Sequence, residues 1–151
     1  MDKLLVGWRE WLSLPNLNIA AIKAKIDTGA RTSSLHAFSV EPYLARGAPM
    51  VCVKVHPYQN NTRYEISFDA EVVDRRWVSD SGGHKEKRYV IMATMTLGHH
   101  SWGSELTLTN RDTMKFRMLL GRTAMDGHLL VDPAASYLVG KRPRRVKHKV
   151  G

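Results

Sequence analysis

Asp27, Thr28 and Gly29 close an alternating run, I-K-A-K-I-D-T-G-A-R over residues 22–31, and these side chains suit acid–base chemistry on a water molecule. An ionised carboxylate takes a proton from water, while a protonated one polarises the carbonyl that the water attacks. Two carboxyls about 3 Å apart cannot both ionise, so they share one proton and titrate as a unit. Chemistry of this kind therefore needs a pair of acids. The remaining aspartates, Asp80 of a glycine-rich tip among them, lack Asp27's context of an apolar strand running into a small turn with glycine. A pair built on Asp27 must come from two copies of the chain meeting at a two-fold axis.

The elements around this tripeptide are short and extended. Ile22, Ala24 and Ile26 alternate with Lys23 and Lys25, which predicts a half-buried strand ending at the turn. Residues 6–14, with Trp8 and Trp11, predict another strand, and Pro15-Asn16 a turn into the Asp27 strand. Residues 32–38 are expected to return from the turn. Residues 42–49 read as a loop between two prolines, residues 50–56 as a strand, and residues 64–73 as its hairpin partner. A second hairpin is expected from residues 75–78 and 85–97 around the Ser-Asp-Ser-Gly-Gly tip at 79–83. Residues 106–109 and 115–120 predict strands turned at 110–112. Residues 123–128 predict a short helix with Thr123 as its cap. Residues 129–133 and 137–139 finish the body. Many short strands with regular turns predict an all-β closed barrel without internal repeats.

Composition bounds the rest. At 151 residues, 43% hydrophobic and 25% charged, the chain suits one globular domain without disulfide staples. Cys52, the single cysteine, excludes an internal disulfide and a multi-cysteine zinc site, and its alternating apolar setting predicts a buried packing residue. No basic-then-apolar leader or membrane-length apolar run is present, from which a cytoplasmic address and no membrane partner are expected. The formal charge of +9 is concentrated at the end: residues 141–151 carry six of the 23 Lys and Arg, leaving 17 bases against 14 acids before them. Residues 1–140 are thus expected to form the domain, and 141–151 a disordered basic tail able to touch RNA or another polyanion.

Asp27-Thr28-Gly29-Ala30, followed far downstream by Met118-Leu119-Leu120-Gly121-Arg122, resembles the retropepsin-like aspartic peptidases. The resemblance implies a closed β-barrel with a flap hairpin and one short helix, and the 79–88 hairpin takes the flap's position. Its implications for the site are specific. Asp27 is the catalytic carboxylate, Thr28 bonds across the dimer, and Gly29 lets the backbone approach water and substrate. The glycine of Gly-Arg allows the second strand to pack under the catalytic turn. Arg31 departs from the retroviral pattern, which has an acid there to pair with the Gly-Arg arginine. With both Arg31 and Arg122 basic, Arg122 is left to pair with Asp126 or Asp132, and Arg31 to bind a substrate carboxylate through its two-pronged guanidinium.

The stretches W-R-E-W-L-x-L-P (8–15), K-A-K-I-D-T-G-A-R-T-S-S-L-H-A (23–37) and M-L-L-G-R-x-A-M (118–125) narrow the resemblance further. They look like a bacterial retropepsin-like family whose members often accompany an ATP-grasp glutamate ligase. That family is implied to remove glutamate tails from a small-subunit ribosomal protein. Ala30, Arg31, Arg122, Lys85 and Arg88 are then the expected substrate-binding residues, with Arg75, Arg76 and Lys87 along the same cleft. The family is often labelled an ATP-dependent zinc protease, yet no H-E-x-x-H and no glycine-rich Lys-Ser/Thr loop is present. The adjacent His99 and His100 would face opposite sides of a strand, and His36, His56, His84 and His128 are scattered. No metal and no cofactor are expected. A non-catalytic barrel that binds RNA through its basic tail is the alternative reading.

Overall fold

The computed structural model describes residues 2–79, 82–111 and 115–140, so the basic tail and parts of the 79–83 tip and the 110–112 turn lie outside the described residues. The strands are β1 (Leu4–Val6), β2 (Arg9–Leu14), β3 (Ile19–Ile26), β4 (Ser33–His36), β5 (Ser39–Ala45), β6 (Ala48–Val55), β7 (Ile66–Glu71), β8 (Asp74–Ser79), β9 (Lys85–Leu97), β10 (His100–Thr109), β11 (Met118–Leu120) and β12 (Leu129–Val131). Among the described residues a 3-10 turn at Pro15–Leu17 and one α-helix, α1 (Arg122–Met125), interrupt them. Seven strands lie in the order β10-β4-β11-β3-β2-β9-β8, and a further β9–β10 pairing closes the first six into a ring. The fold is the all-β retropepsin-like barrel that the motifs imply.

Alternation builds the core. Leu12 and Leu14 of β2, Ala24 and Ile26 of β3, and Met118 and Leu120 of β11 point into the ring. Val51, Val53 and Val55 of β6 and Phe68 of β7 continue the same apolar cluster under a separate three-stranded sheet, β5-β6-β7. The expected loop at 42–49 is part of this sheet. Arg46 and Gly47 make a tight turn with φ of 52° and 78° between β5 and β6. Pro42 is tolerated because β5 is an outer strand with one unpaired side. Cys52 is half-buried rather than buried, facing outward beside Asp69. Desolvation, then the Asp69 carboxylate, push its thiol above the usual range, which disfavours a nucleophilic thiolate.

Two features depart from simple hairpin order. The strand expected at 6–14 breaks at Gly7-Trp8, so that β1 leaves the barrel and pairs in parallel with β12. The segment after the Asp27 turn, β4, does not pair with β3. The short β11 is inserted between them, parallel to β3 and antiparallel to β4.

One buried acid helps to hold residues 132–140 onto the barrel, beside backbone bonds such as Trp8 N–H to the Ala135 carbonyl and Tyr137 N–H to the Arg9 carbonyl. Glu10, 0% exposed, accepts backbone N–H bonds from Gly7 (2.7 Å), Leu138 (2.9 Å) and Val139 (3.1 Å). A Cβ on Gly7 would lie 2.1 Å from the Ala135 carbonyl oxygen, so glycine is required for this close approach. Glu10→Gln is expected to cost about 2 kcal/mol, because an amide NH2 must face one of those donors and the charge-assisted bonds weaken. Chemical denaturation checks the loss, and faster hydrogen exchange at Leu138 and Val139 locates it.

Candidate active site

The β3–β11 ladder carries the acid beyond the end of its strand. Asp27 N–H donates to the Leu120 carbonyl (2.9 Å), and Ile26 N–H to the Trp8 carbonyl (2.8 Å). The chain then turns on itself, with Ala30 N–H donating to the Asp27 carbonyl (3.2 Å) and Gly29 N–H to Asp27 Oδ1 (3.0 Å). Asp27 is half-buried, while Thr28 and Gly29 are exposed. Gly29 is not in the left-handed region. A Cβ there would instead sit 3.3 Å from Asp27 Oδ1, crowding the carboxylate. Among the described residues, no other side chain bonds to the Asp27 carboxylate.

The Gly-Arg segment forms the underside of this turn. Arg122 N–H donates to the Ala30 carbonyl (2.9 Å), Thr123 N–H to the Arg31 carbonyl (3.0 Å), and Gly121 N–H to Ser33 Oγ (3.0 Å). Carbonyls of the Asp27 turn thereby cap α1. Its N-cap residue is Gly121, and Thr123 makes no side-chain cap. A Cβ on Gly121 would lie 2.5 Å from the Thr32 carbonyl carbon, so the strand reaches the turn only as glycine. The Arg122 guanidinium donates to the Thr28 carbonyl (3.0 Å) rather than pairing with Asp126 or Asp132. Both basic residues of the motif thus have a place: Arg122 braces the turn, and Arg31 is exposed, its side chain without a partner among the described residues.

The hairpin cations divide. Arg88 does not line a cleft. It is 5% exposed, bonded to Glu86 Oε2 (3.0 Å), Ser34 Oγ (3.0 Å) and Thr107 Oγ1 (3.4 Å), because its position on β9 faces β4 and β10. Arg76 is held by Glu105 (2.6 Å) and Asp74 (2.8 Å). Hydrogen bonds from Arg76 and then from the Arg75 backbone hold the Asp74 carboxyl below its usual range. Lys85 and Lys87 are exposed on the opposite face, with Arg75 stacked on Tyr89 at 4.7 Å. Residues 85–89 pair with β8 alone as a two-stranded ribbon, which Arg76, Glu86 and Arg88 tie to β4 and β10.

Three of the histidines are engaged locally. His56 stacks on Phe38 and His128 on Trp102, while buried His36 accepts the Arg111 N–H. Among the described residues no three His, Cys, Asp or Glu side chains converge as metal ligands. Asp80-Ser81-Gly82 repeats the Asp-Thr-Gly form in the hairpin tip, but it follows the exposed edge strand β8, and Asp80 and Ser81 lie outside the described residues. One further feature carried no motif: a groove of about 390 Å3 beside the turn, lined by Trp8, Lys25, Lys115, Phe116 and Leu119.

A family model described as "Retropepsin-like aspartic endopeptidase RimB" matches residues 5–142. The chain belongs to this RimB-like family. Residues 5–142 span both the Asp27 turn and the Gly121-Arg122 segment beneath it. Two similar proteins, from Shewanella halifaxensis (47% identical over 141 residues) and Parasynechococcus marenigrum (49% over 138), are each described as a "Probable alpha-L-glutamate ligase". They match 93% and 91% of this chain, but the chain spans only 31% and 30% of their lengths. A crystal structure of Lpg0085, a Legionella pneumophila protein of unknown function, superposes with a TM-score of 0.75 at 28% identity, covering 91% of this chain and 99% of that one. Among the described residues, no helix is long and apolar enough to cross a membrane.

Proposed function

We propose that this RimB-like protein is an aspartic endopeptidase that works as a homodimer and cuts glutamate-rich peptide chains. The observation that carries the reading is Asp27, half-exposed at the end of β3 with a single Gly29 N–H on its carboxylate. One such acid is half a site. A second copy brings the other Asp27 to the same water, one ionised to take its proton and one protonated to polarise the scissile carbonyl. Exposed Thr28 meets its counterpart across the axis, and the β8–β9 ribbon folds over the substrate as a flap. Arg31 and Lys85 contact substrate carboxylates.

The substrate class rests on relatives. Proteins described as glutamate ligases contain a segment like this chain, which links the fold to chains that a ligase extends with glutamate. A glutamate-tailed small-subunit ribosomal protein fits, and the basic residues after 140 would add a contact to it or to RNA.

The test sets purified protein against a glutamate-tailed peptide and its untailed counterpart, with products read by mass spectrometry across a dilution series. Cleavage of the tailed peptide, with specific activity falling as sedimentation shows dimers dissociating, is the expected result. A fully active monomer would overturn the shared site, and an active monomer that Asp80→Asn inactivates would move the second acid into the same chain. Protein that cuts neither peptide but binds RNA with steep salt dependence is a binding module instead.

A further inference from the structure

Asp27 has neighbours on its own face of the barrel. Lys23 and Lys25 precede it on β3, opposite in direction to the buried Ala24 and Ile26, so strand alternation turns all three outward together. Across the register from Lys25 stand Arg9 on β2 and Leu119 on β11. The outward positions of β2, β3 and β11 carry no acid. Just beyond Leu119 lies the groove. Trp8 and Phe116 meet edge to face at 5.8 Å and form an apolar floor with Leu119, while the exposed Lys25 and Lys115 stand at its sides.

Two other cations of this face are occupied. Arg9 lies between the Trp8 and Tyr137 rings at 4.6 and 4.9 Å and bonds Ser136 Oγ. Lys23 bonds Gln59 Oε1 (3.1 Å). Lys25 and Lys115 have no side-chain partner among the described residues; only the Lys115 carbonyl is engaged, by Gln59 Nε2 (2.6 Å). Two ammonium groups without partners among the described residues, set over an aromatic floor, match a side chain with methylenes behind a terminal carboxylate. The volume, about 390 Å3, falls in the range of ligand pockets, ~300–1,000 Å3.

We propose that this groove is the subsite that reads a glutamyl side chain of the substrate. Its methylenes lie against Trp8, Phe116 and Leu119, and its carboxylate sits between Lys25 and Lys115, which directs the neighbouring peptide along β3 to Asp27. Lys25 and Lys115 are then the specificity-determining residues. The proposal deepens the peptidase reading and rests on it for the direction of the chain, but its test needs no turnover.

Fluorescence anisotropy at low salt measures a labelled glutamate homopeptide and its isosteric glutamine counterpart on Asp27→Asn protein. The glutamate peptide should bind and the glutamine peptide should not. Lys25→Gln and Lys115→Gln should each weaken the glutamate peptide roughly 5-fold, and together roughly 25-fold, as two exposed ion pairs permit. Lys54→Gln, on the separate three-stranded sheet, controls for loss of overall charge and should change binding less than about 2-fold. The subsite is overturned if the double variant binds like its parent, if Lys54→Gln costs as much, or if neither peptide binds. Hydrolysis by the Asp27 protein is scored separately. A charge-reading groove on a protein that cuts nothing would sink the peptidase and spare the subsite, and undiminished glutamate binding by the double variant of an active enzyme would do the reverse.

Discussion

Asp27→Asn is expected to lower kcat/KM on a glutamate-tailed peptide by on the order of 10^4-fold while leaving the unfolding transition unchanged. Asparagine keeps the size of the side chain and an oxygen that accepts the Gly29 N–H, so the turn survives. It loses the shared proton. In a symmetric dimer one substitution removes both carboxyls, leaving no group to take a proton from water and none to polarise the carbonyl. Initial rates on the tailed peptide, with circular dichroism as the folding control, check this. Cleavage persisting in the variant at more than a few per cent of the parent rate would exclude an aspartic mechanism at this turn.

Gly121→Ala should destabilise the domain by about 3 kcal/mol, the upper end of what an overpacked site costs, and lower Tm by on the order of 6–12 °C. Conformation is not the cause: Gly121 has φ −97° and ψ 175°, which alanine adopts freely. Space is. The new methyl would lie 2.5 to 2.9 Å from the backbone carbon, oxygen and nitrogen of Thr32, and backbone on both sides is fixed by hydrogen bonds. Relief requires β11 and the Asp27 turn to separate, weakening the bonds from Arg122 and Thr123 to Ala30 and Arg31. Activity should therefore fall together with stability. Thermal unfolding followed by calorimetry gives the first number, and turnover well below the lowered Tm gives the second. A variant as stable as the parent would mean that the turn is slack.

Periodicity located most strands because a closed barrel imposes one apolar and one outer face on each. The alternation of Ile22, Ala24 and Ile26 with Lys23 and Lys25 is that pattern in its plainest form. The stretch at 42–49 reads as a loop in the sequence because prolines mark loops in most settings, whereas an outer strand leaves the missing N–H of Pro42 uncounted. Nothing local distinguishes Arg88 from Lys85 and Lys87. Its burial depends on Ser34 and Thr107, 54 and 19 residues away in sequence. Thr123 has the right type for a cap, but the turn at Ala30 and Arg31 already occupies the donors it would serve. The groove of Trp8, Lys25, Lys115, Phe116 and Leu119 had half a signal: parity put Lys25 on the side of Asp27, and nothing in the order of residues joined it to Lys115.

The family resemblance, and not local chemistry, put a glycine beneath the Asp27 turn; local chemistry alone determined the all-β class and the acid at the end of an apolar strand. Those two follow from alternation and turn propensity, which act between near neighbours. Which cations are free and which are consumed was decided only by tertiary structure. An arginine beside a carboxylate or inside a core and one facing water are the same residue in sequence, and only long-range pairing of strands brings Glu86, Ser34 and Thr107 to Arg88 while leaving Lys25 and Lys115 without partners among the described residues.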